Sequence, residues 1–222
     1  MRHVILNLHG LGTPPVPLAP GEDLYWVEPD LLLLALDLAT RHAGRVRVSF
    51  TFDDSNLSDL EIGAPLLEAA GRRATFFVLA DRIGQPHYLC AEHLRQLVAC
   101  GHRIGSHGAA HVDWRGLDGA GLERELVGAR AAISTAAGQE ITEAGIPFGR
   151  YNARVLRALR RAGYARAWSS DGGAATGSDW PVPRTSLTRE MDAAAIEAIL
   201  LGNEPLKRRL RRRLSMAVKA RI

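Results

Sequence analysis

A chain of 222 residues with 46% hydrophobic side chains holds enough apolar mass for one domain with a full core, which excludes a disordered protein. Its two cysteines, Cys90 and Cys100, are too few for a disulfide scaffold. The net charge of +4 is unevenly spread: residues 207–222 carry eight of the 28 Lys and Arg and no acid, so the rest has 20 basic against 24 acidic residues, a formal −4. That distribution speaks against a nucleic-acid enzyme with a basic active face and confines the basicity to an appendage.

Val4–Leu8 reads as a buried strand with His9 at its tip, followed by a glycine turn and the proline-rich loop "GTPPVPLAPGED". "EPDLLLLALDLATRHAG" reads as a helix, with Pro29 in its first turn and Gly44 as its stop. Asp37 interrupts this run, and no stretch reaches the roughly 18 apolar residues of a membrane span. With no cleavable leader visible at the start, a cytoplasmic location is expected. "RVRVSFTF" alternates and predicts a strand ending at Phe52; "LEIGAPLLEAAG" predicts a helix, "RATFFVLA" a strand, and "CAEHLRQLVACG" a helix stopped by Gly101. "HRIGS" is a short strand and "GLERELVGARAAISTAAG" an amphipathic helix. "ITEAGIPFG" is a strand and loop, "ARVLRALRRAG" a helix, and "YARAWSS" a strand. Residues 171–183 are expected to be loop, "AAAIEAILLG" a helix, and the basic tail a further helix.

This alternation implies an α/β fold with a parallel sheet, either closed into a barrel or open, and in both cases chemistry collects at the C-terminal strand ends. The residues at those ends are His9, Asp53 and Asp54, Ser106 and His107, Pro147 to Gly149, and Ser169 to Asp171. In "SFTFDDSN" two adjacent carboxylates can reach one pocket where the backbone turns, or they simply cap a turn. In "IGSHGAAHVDW", His107 and His111 can converge on one cation if the segment turns helically after the strand; otherwise they are loop histidines. Two imidazoles and a carboxylate suit Zn²⁺, or Co²⁺ or Ni²⁺.

Taken together, TFDD, then GHRIGSHGAAH about fifty residues later, then PFGRYN, resemble the metal-dependent polysaccharide deacetylases of the NodB type, in family order from Phe50 to about Leu187. The resemblance implies a distorted (β/α)7-8 barrel over residues 1–203, with 204–222 as a basic amphipathic helical tail. It implies Asp53 as catalytic base, Asp54, His107 and His111 as ligands of one divalent ion, zinc first, and the Phe148 backbone N–H facing the oxyanion. Pro147 and Gly149 belong to the same groove-lining loop, and Asp171, Trp180 and Arg184 are candidates for the groove wall or for support of the base. Trp168 and Trp114 are expected to pack, the latter against the metal site. The substrate implied is an acetylated glycan, with N-acetyl removal expected. A small amide or cyclic ureide substrate on the same scaffold, or a carbohydrate-binding relative without activity, are the alternatives.

Two departures from the family pattern matter. The arginine that usually precedes the prolines of the third motif is Gly145 here, which makes Arg184 the candidate replacement. The family usually closes with a strand ending in a histidine that acts as general acid, yet no histidine follows His111. A closed barrel pairs its last strand with its first, so a circular permutation would leave His9 in that role. In the tail, Leu206, Leu210, Leu214 and Val218 recur every fourth residue among arginines, a pattern suited to an anionic membrane surface at the inner face.

Overall fold

The computed structural model describes residues 1–18 and 20–221. Strand β1 (Arg2–Leu8) leads through the proline-rich loop to α1 (Pro29–Arg41), which buries Leu32, Ala35, Leu36 and Ala39 on one face. Then follow β2 (Val46–Phe52), a π-type turn (Asp59–Gly63) continuing into α2 (Ala64–Ala69), β3 (Ala74–Val78), α3 (Ala91–Ala99) and β4 (Arg103–Ser106). A long helix comes next, running as α4 (Gly119–Glu123), a π segment (Arg124–Gly128) and α5 (Ala129–Ala137), and stopping at Gly138 with φ 69°. β5 (Glu143–Gly145), α6 (Ala153–Arg161) and β6 (Arg166–Ser169) complete the regular alternation. Asn152 caps α6 by accepting the Val155 N–H at 3.0 Å.

From β1 to β6 each strand pairs in parallel with the next. One extended segment then closes the sheet. Its first half, β8 (Val182–Pro183), lies parallel to β6, and its second half, β9 (Thr185–Ser186), lies parallel to β1. The segment therefore bridges the two ends of the sheet, with Arg184 at the crossing. β1 occupies the slot between this closing segment and β2. The expected loop at 171–183 also contributes β7 (Ala174–Ala175), antiparallel to β1. Two-residue strands are too short to leave a period in the sequence, which is why 171–183 reads as loop. Helices α7 (Ala193–Leu201) and α8 (Leu206–Lys219) follow.

Strand alternation sorts the core into two layers. Val4, Leu6 and Leu8 of β1, with Phe50 and Phe52 of β2, join the large cluster beneath the helices. The opposite parity points into the barrel, where Ile5, Phe77, Trp168 and Val182 form a small second cluster. Further toward the strand tips that interior turns polar, through Asn7, Thr51, Arg184 and Asp53, all buried. The Arg184 guanidinium lies over the Phe77 ring at 4.9 Å, at the seam between the apolar and polar layers. Trp168 is packed as expected, its Nε1 donating to buried Glu143 at 3.1 Å.

Candidate active site

The strand tips converge on a cavity of about 650 Å³ whose floor holds His9, Asp53, Asp54, His107 and His111. Asp53 still belongs to the sheet, since its N–H donates to the Leu8 carbonyl at 2.9 Å. The chain then turns sharply: Asp54 and Ser55 have φ of 77° and 65°, left-handed values that non-glycine residues seldom adopt. The turn is held by Ser55, whose Oγ accepts from Leu79 N at 2.8 Å, and by Arg82, which donates to the Asp54 carbonyl at 2.9 Å. Such strain persists only where its surroundings fix it. Its effect is to aim both carboxylates into one cavity.

Asp53 sits in a fully bonded cage. Arg184 grips it bidentately, Nη1 to Oδ1 at 2.7 Å and Nη2 to Oδ2 at 2.8 Å, and Asn7 Nδ2 donates to Oδ2 at 2.9 Å. The Asn7 amide is used completely: its oxygen accepts from Thr51 Oγ1 at 2.6 Å and from Arg184 at 2.9 Å, and its nitrogen also reaches His9 Nε2 at 3.3 Å. Burial alone would raise the Asp53 carboxyl. The charges of Arg184, His107 and His9, with the Arg184 hydrogen bonds, instead hold it well below the ordinary carboxylate range. Asp53 is thus ionised throughout the physiological range.

Asp54, His107 and His111 offer ligand atoms that all lie within 4.8 Å of one another. Asp54 Oδ1 is 3.6 Å from His107 Nε2 and 3.4 Å from His111 Nε2, and among the described residues this buried oxygen has no hydrogen-bond partner. His107 Nδ1 donates to the Gly145 carbonyl at 2.9 Å, which leaves the Nε2 lone pair facing the cavity, as metal-ligating histidines are normally oriented. Burial pushes His107 down to about 3, with His111 and Arg184 adding to the shift, and burial likewise lowers His111. Both rings are therefore neutral at neutral pH, the form in which an imidazole can bind a metal. Burial pushes Asp54 up to about 6, and the charge of Asp53 adds to this against the pull of His9; a bound cation would relieve it. The donor set fits a divalent metal ion.

The histidine segment does not turn helically. Residues 107–113 form a loop, with Gly108 at φ 88° and His111 at φ 55°. Glu125, buried on the helix packed behind it, holds the loop by accepting from Ala109 N at 2.8 Å, Ala110 N at 3.2 Å and Trp114 Nε1 at 3.2 Å. A Cβ at position 108 would stand 2.5 Å from Glu125 Oε2, so glycine is required there. The i, i+4 convergence comes from this clamp rather than from a helix. Trp114 does brace the loop, through Glu125.

His9 Nε2 stands 3.7 Å from Asp53 Oδ2, and its Nδ1 is buried with no partner among the described residues. Gly10 answers for the glycine after it: the Trp26 ring packs so close that a Cβ there would come within 2.5 Å. Tyr25 lies beside His9 with ring centroids 5.1 Å apart, and Phe148 covers His111 at 4.4 Å. Both aromatics are substantially exposed, at 37% and 50%, so they flank the site with open ring faces. Pro147 and Gly149 are buried and hold the loop that presents Phe148 at φ 57°. The proline-rich loop forms one wall, through Pro15, Val16, Pro17, Leu18, Pro20 and Gly21; Ala19 lies outside the described residues.

Two expectations need correction. Trp180 does not line the cavity; it is held half-buried against the core, with Arg160 of α6 stacked over its ring at 4.9 Å. Asp171 neither lines the cavity nor touches Asp53. It accepts instead from Ser169 Oγ at 2.7 Å, Tyr151 OH at 2.9 Å and Lys219 Nζ at 2.7 Å, while Arg184 holds Asp53. Asn7, Thr51, Arg82, Glu125 and Tyr25 also build the site and were not expected from the sequence. Asn7, polar in the middle of a buried strand, was the visible signal; Glu125, on the apolar face with Leu122, Leu126 and Ala129, was another.

A family model described as polysaccharide deacetylase matches residues 40–167, more than half of the chain. YxkH of Bacillus subtilis (strain 168), named for polysaccharide deacetylases, is 30% identical over 129 residues, covering 58% of this chain and 46% of that protein. A chitin deacetylase from Pestalotiopsis sp is 31% identical over 116 residues, covering 52% and 39%. The chain thus spans less than half the length of these curated relatives. Among solved structures, the Streptococcus pyogenes deacetylase PplD superposes with a TM-score of 0.78 at 19% identity, over 92% of this chain and 99% of that one. At this identity the likeness is one of fold, and it matches the barrel described above.

Proposed function

Because the chain belongs to the polysaccharide deacetylase family, we propose that it is a zinc-dependent hydrolase that removes N-acetyl groups from an amino-sugar-containing glycan. The observation that carries this reading is the pairing of two unlike carboxylates. Asp53 is locked in its ionised form by Arg184, and next to it Asp54 presents an unpartnered buried oxygen beside two neutral imidazoles. The chitin deacetylase among the relatives supports an acetylated amino sugar as substrate.

When bound by Asp54, His107 and His111, the cation supplies Lewis acidity for the acetyl carbonyl and the attacking water. Asp53 then has one task, to accept a proton as the water oxygen forms the new C–O bond. The cage of Arg184 and Asn7 holds its carboxylate in place, so no reorganisation is needed at that moment. The Phe148 N–H is the donor assigned to the developing oxyanion. His9 gives a proton to the amine nitrogen as the C–N bond breaks, releasing acetate and a free amino sugar. Tyr25 and Phe148 supply apolar faces on which pyranose rings can rest. The position of His9, on a strand lying between the closing segment and β2, supports the permuted arrangement in which the first strand carries the acid.

The experiment compares acetate release by wild type and His9→Ala on an N-acetylated chitooligosaccharide and on an O-acetyl ester. An amine is a poor leaving group and an alcohol a better one, so the amide reaction falls about 10²-fold or more and the ester reaction much less. Equal rates of wild type and variant on the amide would remove His9 from the mechanism.

A further inference from the structure

We infer that α8 docks the protein onto an anionic phospholipid surface. A helix packed on its own domain normally turns its apolar stripe inward and its charges to water. α8 departs from this: among its described apolar side chains only Met216 and Ala220 are half-buried, and the longer stripe faces outward. Its inner side meets the barrel through Lys219, whose Nζ donates to Asp171 Oδ1 at 2.7 Å and lies 5.2 Å from the Tyr151 ring centre, while Arg212 Nη2 donates at 2.5 Å to Glu204 Oε2 in the segment just before the helix. Leu210, Leu214 and Val218, four residues apart and so on one face, are left 58%, 67% and 47% exposed. The Leu206 side chain, expected on the same stripe, lies outside the described residues.

The flanks of that stripe identify the occupant. Lys207, Arg211, Arg213 and Arg221 are exposed along it, and no acid occurs between residues 206 and 222. Long cationic side chains beside a narrow apolar stripe match a bilayer interface, where the stems lie along the acyl boundary and the charges reach lipid phosphates. A second copy of the chain fits less well. Three apolar side chains on one helix fall far short of the about 800 Å² per partner of a stable protein interface. Among the described residues no helix is long and apolar enough to cross a membrane, so the contact is with the surface. The tether also matters for the site: Asp171, which Lys219 grips, adjoins Ser170, a residue lining the cavity. α8 is thus joined, through Lys219 and Asp171, to a segment that borders the cavity.

The test is sedimentation of the full chain with phosphatidylcholine vesicles, with and without phosphatidylglycerol, at low and high salt. Binding is expected only with the anionic lipid, weakening as salt rises. The triple variant Leu210→Asp, Leu214→Asp, Val218→Asp removes no buried contact; it should bind about tenfold more weakly or worse and still fold. Failure of the wild type to sediment with anionic vesicles would overturn the proposal, as would undiminished binding by the triple variant. A concentration-dependent dimer that the same variant abolishes, without vesicle binding, would assign the stripe to a second copy. Because the readout is lipid binding, it stands apart from the deacetylase reading.

Discussion

Replacing Arg184 with methionine is expected to lower the free energy of unfolding by about 3–5 kcal/mol, the usual effect of removing one partner of a buried ion pair. Arg184 is fully buried, and its loss strands the Asp53 carboxylate, which is only 2% exposed, with Asn7 as its remaining donor. It also takes a donor from Asn7 Oδ1 and from the Ser169 carbonyl, and so loosens the segment that joins β6 to β1. Chemical denaturation at neutral pH measures the change. The double variant Asp53→Leu, Arg184→Met should be less destabilised than the sum of its single variants, because the uncompensated charge is gone. The pH dependence has a definite sign. The folded-state value of Asp53 lies below that of the unfolded chain, so the stability it contributes is present above the ordinary carboxylate range and lost as the pH falls below it. The gap between wild type and Arg184→Met therefore narrows in acid. A loss below about 1 kcal/mol at neutral pH, typical of a solvated pair, would show that the cage is not what holds the base.

The Asp53→Asn variant is expected to release acetate about 10²–10⁴-fold more slowly, the range of a positioned general base. Asparagine is nearly isosteric but cannot take the proton. Since Asp53 lies outside the Asp54, His107 and His111 set, zinc stoichiometry should be unchanged, which separates a lost base from a lost metal site. Turnover at an undiminished rate would assign the base elsewhere.

The features legible in the sequence share a physical reason. Each rested on a residue type that is costly or unusual where it stood: carboxylates at a buried strand end, a histidine pair after a four-residue strand, a histidine closing the first strand. The parallel alternation was legible too, because its strands and helices are long enough to carry a period. The loop at 107–113 was not. Its convergence depends on Glu125, an acid sixteen positions after Ala109, and on the φ of Gly108, neither of which spacing reveals. The closing segment was hidden because its two halves pair with different strands over two residues each. Trp180 was misplaced for the opposite reason: an aromatic beside prolines suggests a sugar platform, but this one is held against the core under Arg160 of α6. Arg184 was legible only as a candidate, since one arginine in a loop does not announce that it faces inward across 131 residues to Asp53.

Asp54, His107 and His111 are proposed to hold a zinc ion that the reaction requires. That assignment is tested most directly by measuring acetate release from an N-acetylated chitooligosaccharide with protein stripped by a chelator, then reloaded with zinc, alongside Asp54→Ala treated the same way. The stripped protein is expected to be silent, zinc to restore release to the wild type, and Asp54→Ala to stay silent at the same zinc concentration. Undiminished release by the stripped protein, or full restoration of Asp54→Ala, would contradict it.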